Sequence, residues 1–186
     1  MIAKRFLALA AVSALALSAC SSNSAPTDAD CAKAEVLCVG LVTDLGKVDD
    51  KSFNQSAWEG AKAAAEEAGG ISKYVETVDT KDYAANIKQF TDKSYDVIVT
   101  VGFLMADATV AAAKANPNTK FIGVDQFQGE TVDNLTGLIF PEDQAGYAAG
   151  YLAGLMTKTN KLGQVLGLEI PPVQRSEEHT SELQSH

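Results

Sequence analysis

The chain has 186 residues, with 15 Lys and Arg against 24 Asp and Glu and a formal net charge of -9, a balance that argues against a nucleic-acid partner, whose affinity rests on a basic surface. His occurs only at His179 and His186 and Arg only at Arg5 and Arg175. Residues 6–174 therefore offer no imidazole and no guanidinium fork, which excludes a Ser/His/Asp triad, a His-ligated zinc site and a bidentate Arg clamp there.

The first 19 residues carry Lys4 and Arg5, then an apolar run from Phe6 to Leu17, then small residues. This is the layout of a secretory signal, too short and Ala-rich for a comfortable membrane span. Leu17-Ser18-Ala19-Cys20 resembles a bacterial lipobox, which makes Cys20 the expected lipidation site. Residues 20–34 are expected to form a tether, because their Ser/Asn/Ala/Pro/Asp stretch has no apolar periodicity. The expected location is the extracytoplasmic face of the cell membrane, held by the N-terminal lipid. Cys31 and Cys38 then remain, either as a disulfide or, since Cys38 lies in an apolar run, as a lone buried thiol.

Residues 35–160 read as one α/β lobe. Strand-length apolar runs fall at 36–43, 74–78, 96–101, 120–124 and 135–140, with the near-continuous β-branched and aromatic content of buried parallel strands. Ala/Lys/Glu/Gln-rich stretches with helical spacing lie between them at 53–68, 83–93 and 105–116. Gly69-Gly70 and Asn116-Pro117-Asn118 act as stops. This alternation predicts a doubly wound parallel sheet. A further helix is expected over 141–160, with Pro141 at its start and Glu142 and Asp143 in its first turn. Its glycines at 146, 150 and 154 form one smooth face for close packing against the sheet or a neighbouring lobe. Residues 161–168 read as one more strand, the beginning of a second lobe over 161–174. From Arg175 to His186 the composition turns abruptly polar, and this stretch resembles the in-frame translation of a sequencing-library adapter.

Ligands of open parallel sheets bind at the carboxyl ends of the strands. That rule gathers Asp44, the Gly102-Phe103 turn and Asp125 on one rim, with Phe53 and Asn54 where the first helix begins. Carboxylates, an amide and aromatic rings suit a flat, uncharged ligand with several hydrogen-bonding groups. Asp49, Asp50 and Ser52 read as helix caps. Gly40 to Val48 has the wrong spacing and the wrong final residue for a phosphate loop, and Asp49-Asp50 lacks the alternating ligands of a calcium loop. No cofactor or metal is implied.

The block from Val48 to Gly60, VDDKSFNQSAWEG, closely resembles the basic membrane protein family of solute-binding lipoproteins, purine-nucleoside receptors of ABC importers. Val101-Gly102-Phe103, Phe121-Ile122-Gly123-Val124-Asp125, Gly150-Tyr151-Leu152-Ala153-Gly154 and Lys161-Leu162-Gly163 with Ile170-Pro171 extend the resemblance over residues 36–173. Gly167-Leu168-Glu169 departs from it, where a second glycine is more typical. The resemblance implies a lobe of the periplasmic-binding-protein type I kind, one of two that close on a ligand, with the second lobe largely missing here. It implies a purine nucleoside as ligand and ABC permease and ATPase subunits as partners. Phe53 would stack on the purine, and Asp44 and Asn54 would hydrogen-bond its edge. Gly102, Phe103 and Asp125 would share the rim. Two other functions are compatible with such a lobe: a ligand-sensing lipoprotein feeding a signalling partner, and a nucleoside hydrolase using Asp44 and Asp125 as paired carboxylates.

Overall fold

A computed structural model describes residues 25–181; the signal-like segment 1–19 and Cys20 lie outside them, as do residues 182–186. Five strands and five α-helices follow in chain order: β1 (Cys38–Leu45), α1 (Phe53–Glu67), β2 (Ile71–Thr77), α2 (Tyr83–Thr91), β3 (Val97–Val101), α3 (Ala106–Ala115), β4 (Lys120–Val124), β5 (Leu135–Leu138), α4 (Glu142–Met156) and α5 (Pro171–Ser181). All strand pairs are parallel, in the order β2-β1-β3-β4-β5. The expected doubly wound α/β architecture is present, and its winding reverses between β1 and β3, which opens a crevice at their carboxyl ends.

The period-two alternation of a strand decides which residues face which helices. Val39 and Leu41 of β1 and Val99 and Val101 of β3 pack with Ala61 and Ala65 of α1. Cys38, Val42, Ile98 and Phe121 pack on the other face with Tyr83, Ile87 and Phe90 of α2 and Ala113 of α3. The small alanine face of α1 is what lets that helix lie close to the sheet. Helices cover both faces, so the strands carry apolar residues on both sides rather than alternating with polar ones.

Four expectations give way. The segment 20–34 is not tether throughout: Asp28–Asp30 form a single 3-10 turn. The Asp28 carboxylate accepts from Lys73 Nζ at 2.6 Å, Lys93 Nζ at 2.9 Å and Tyr95 Oη at 3.1 Å. Polar composition suggested a free segment, but these charges fasten it to the base of the sheet. Cys31 and Cys38 form a disulfide with Cα atoms 5.5 Å apart, so the lone buried thiol does not occur. Residues 161–168 form no strand; an apolar run this short takes strand geometry only beside a partner, and none of the five strands pairs with it.

The helix expected to end at 160 stops at Met156, and its glycine face meets neither the sheet nor another lobe. It meets α5, which spans the change of composition at residue 175. A Cβ on Gly146 would lie 2.4 Å from the Ser176 carbonyl oxygen, and one on Gly150 would lie 2.7 Å from that of Thr180. Thr180 Oγ1 donates to the Gly146 carbonyl at 3.0 Å, and Arg175 Nε donates to Glu142 Oε1 at 2.7 Å. Tyr147, Tyr151, Leu152, Leu155 and Met156 of α4 remain exposed. No helix among the described residues is long and apolar enough to cross a membrane.

Candidate functional site

Asp44 is the last residue but one of β1, inside the strand rather than after it. On the pleat it shares a face with Val42, so its side chain is directed toward α2. Its Oδ1 accepts from the Leu45 backbone N–H at 2.8 Å and from Tyr83 Oη at 2.6 Å. Burial, followed by this hydrogen bond and the Asp44 charge, pushes the Tyr83 phenol well above its ordinary pKa. Oδ2 lies against Gly102, where a Cβ would come within 2.1 Å of it. Gly102 also has φ +99, a conformation that costs any other residue strain. Glycine is therefore required there twice, by the backbone and by the approach of Asp44.

The Gly102 turn is fixed from β4. Its N–H donates to the Val124 carbonyl at 2.9 Å, and its own carbonyl accepts from Gln126 Nε2 at 3.1 Å. Gln126 is fully buried and also donates to Thr100 Oγ1 at 3.2 Å, beneath the rim. Its neighbour Asp125 has φ +57. Burial raises the Asp125 pKa above the usual carboxylate range; the charges of Glu142 and Asp44 add to the rise, and Arg175 opposes it. Asp44 in β1 and Asp125 directly after β4 both stand at the carboxyl ends of parallel strands.

Phe53 and Asn54, adjacent in sequence, part company in space. Phe53 is 45% exposed, and its ring meets the Phe140 ring edge-on with centroids 5.4 Å apart. Asn54 is 2% exposed and occupied at both ends of its amide. Oδ1 accepts from Asp44 N at 2.9 Å, and Nδ2 donates to the Lys47 carbonyl at 3.2 Å. Asn54 therefore braces the Asp44 backbone from behind. Asp50 does cap α1, accepting from the backbone N–H groups of Ser52, Asn54 and Gln55. Burial works against its ionisation, yet those donors lower its pKa. Ser52 makes no side-chain cap.

Phe103 opens a 3-10 turn and lines a cleft of about 690 Å³ with Phe127, Ile139, Phe140, Glu142 and Arg175. Phe103, Phe127 and Phe140 therefore share one cleft, and Phe53 reaches it through its contact with Phe140. Among the described residues there is no group of three or more His, Cys, Asp and Glu able to hold a metal. Tyr83, Gln126, Phe127 and Phe140 were not expected from sequence. Tyr83 was discoverable, since it follows the carboxyl end of β2 and so falls on the same rim as the others.

The family described as "ABC transporter substrate-binding protein PnrA-like" matches residues 38–178. The "ABC transporter nucleoside-binding protein BmpA" of Lactococcus lactis is 35% identical over 181 residues, covering 95% of this chain and 50% of that protein. "Basic membrane protein A" of Borreliella burgdorferi is 31% identical over 137 residues, covering 73% of this chain and 40% of that one. The chain thus spans half or less of the length of these relatives. Among solved structures, an ABC transporter solute-binding protein from Aeropyrum pernix K1 superposes with a TM-score of 0.67 at 25% identity, covering 80% of this chain and 44% of that chain. A glucose-galactose binding protein from Geobacillus stearothermophilus is alike in fold alone, with a TM-score of 0.62 at 18% identity over 81% of this chain and 54% of that one. Both the periplasmic-binding-protein type I lobe and the block around Phe53 are accounted for: the chain belongs to the PnrA-like family of ABC transporter substrate-binding proteins.

Proposed function

We propose that this protein captures purine nucleosides outside the cell and delivers them to the permease and ATPase subunits of an ABC importer, anchored to the membrane through a lipid on Cys20. The observation that carries the reading is the exposed Phe53 ring, set edge-on to Phe140, beside a sheet whose β1 and β4 bring Asp44 and Asp125 to their carboxyl ends. A base stacked on an aromatic ring gains about 1 to 3 kcal/mol, and acceptors on the rim read its N–H groups. Phe53 is the stacking platform, Asp44 the edge reader, and Gly102, Phe103 and Asp125 complete the wall. Asn54 contributes by fixing Asp44. The nucleoside-binding relative in Lactococcus lactis supports the ligand class. Lipoprotein relatives in Pyrococcus furiosus and Pyrococcus abyssi support the anchor.

Calorimetric titration with guanosine, inosine and adenosine tests the ligand. Binding should weaken by about 5- to 150-fold in Phe53→Ala, the equivalent of one lost stack. Run on a protein that carries both lobes, absence of heat with all three nucleosides, or undiminished binding by the variant, refutes the proposal. Labelled palmitate incorporated by the wild type and lost in Cys20→Ser tests the anchor.

A further inference from the structure

The Asp44 carboxylate is held asymmetrically. Both hydrogen bonds it receives from the described residues, from Leu45 N and Tyr83 Oη, end on Oδ1. An oxygen accepting two donors has little capacity for a third. Oδ2 receives none of them and lies against the Gly102 turn. Tyr83 cannot easily give way: its ring is 4% exposed, packed in the core with Ile87 and Phe90, and it begins α2. The backbone behind Asp44 is equally fixed, through Asn54 Oδ1. The carboxylate therefore cannot offer both oxygens to a ligand without breaking the Tyr83 bond.

We infer that Tyr83 is a positioning residue that makes Asp44 a one-oxygen acceptor, so that the site reads a single N–H donor on a purine edge and gains little from a second one beside it. The inference rests on the nucleoside reading above and deepens it. A carboxylate with both oxygens free pairs with two parallel donors at once, as it does with a guanidinium fork. Guanosine presents such a pair, the ring N1–H and the 2-amino group, while inosine presents the N1–H alone. A one-oxygen acceptor treats the two nearly alike, and a released one favours guanosine.

The test is titration of a protein carrying both lobes with guanosine and with inosine, in the wild type and in Tyr83→Phe, which keeps the buried ring and removes the hydroxyl. The wild type should bind the two within about threefold of each other, and the variant should shift the ratio toward guanosine by about three- to tenfold, the worth of one hydrogen bond. General loosening of the rim would weaken both nucleosides alike and leave the ratio unmoved, so the ratio separates positioning from mere structural support. Binding with an unmoved ratio in a folded variant overturns the inference while leaving the nucleoside reading intact. Failure of the wild type to bind either nucleoside overturns both. If Tyr83→Phe does not fold, the wild-type ratio decides: near equality supports the inference, and a preference for guanosine of about tenfold or more overturns it.

Discussion

At the amino ends of the strands the chain is bolted down, while at the carboxyl ends it is held in tension with groups left over. The lower pole carries the Cys31–Cys38 disulfide, the Asp28 cluster, and Asp96, whose Oδ2 accepts from Cys38 N at 2.8 Å. Asn134 Nδ2 there satisfies three carbonyls, those of Ala113, Asn116 and Thr119, within 3.0 Å. The upper pole has positive φ at Gly102 and Asp125, the carboxylates of Asp44 and Asp125, and exposed rings. Gln128 Nε2, near Gly123 and Gly137 toward the upper ends of β4 and β5, is the one buried side-chain polar atom among the described residues without a hydrogen-bond partner. Stability is concentrated at one end of the sheet, and unsatisfied chemistry at the other. Strain and unpaired polar groups of this kind persist only where the surrounding structure over-determines them.

If the rim is over-determined, disturbing its tightest contact should cost most. Gly102→Val puts a branched side chain at φ +99 and drives it into Asp44 Oδ2. Backbone strain and overpacking together should cost about 3 kcal/mol or more, and nucleoside binding should be lost with the position of Asp44. Urea denaturation checks the first and calorimetry the second. A Gly102→Val protein of wild-type stability would show that the rim is slack and the contrast between the poles misplaced.

Breaking the lower pole should cost less and leave the rim alone. The disulfide closes a short loop, with a sequence separation of 7. In the chain-entropy account such a loop contributes about 2.5 kcal/mol. Replacing both cysteines by Ser should lower the thermal midpoint by roughly 5 to 10 °C, with nucleoside affinity unchanged. A matching fall in affinity would mean that the two poles are mechanically coupled and not separate.

The sequence reveals the sheet because its evidence is local and repeated: β-branched runs of strand length, alternating with alanine-rich helices. It also reveals the convergence of Asp44, Gly102 and Asp125, because strand ends in a parallel sheet point the same way. It does not reveal what each side chain does on arrival. Asn54 sits at the rim in sequence yet is buried, its Oδ1 accepting from the Asp44 N–H. Tyr83 lies 39 residues from Asp44, and only the pairing of β2 beside β1 brings them together. The run at 161–168 has a strand's composition without a neighbouring strand to pair with. Of the glycine face of α4, Gly146 and Gly150 pack closely, but on α5 and not on the sheet or a second lobe, and Gly154 meets nothing within 4 Å.

The smallest effect lies in the charges that fasten the N-terminal segment. Hydrogen bonds from Lys73 and Lys93, reinforced by Tyr95, hold the Asp28 carboxyl down from its ordinary value near 3.8 to about 2, against an opposing desolvation effect. Because the folded pKa lies below the unfolded one, folding favours the ionised form, and the stabilisation is present above about pH 4 and fades as the pH falls through about 2. The side chain is 22% exposed and its lysines are half exposed, so solvent screening reduces the net contribution to about 1 kcal/mol. Asp28→Asn should therefore be less stable than the wild type by about that amount at pH 7, with the gap closing toward pH 2 and shrinking in high salt. Equilibrium unfolding of the two proteins across that range reads the effect directly. A gap that stays constant down to pH 2 would assign the loss to packing around Tyr95 and not to the carboxylate, and the lower pole would then be held by the disulfide and its core without help from charge.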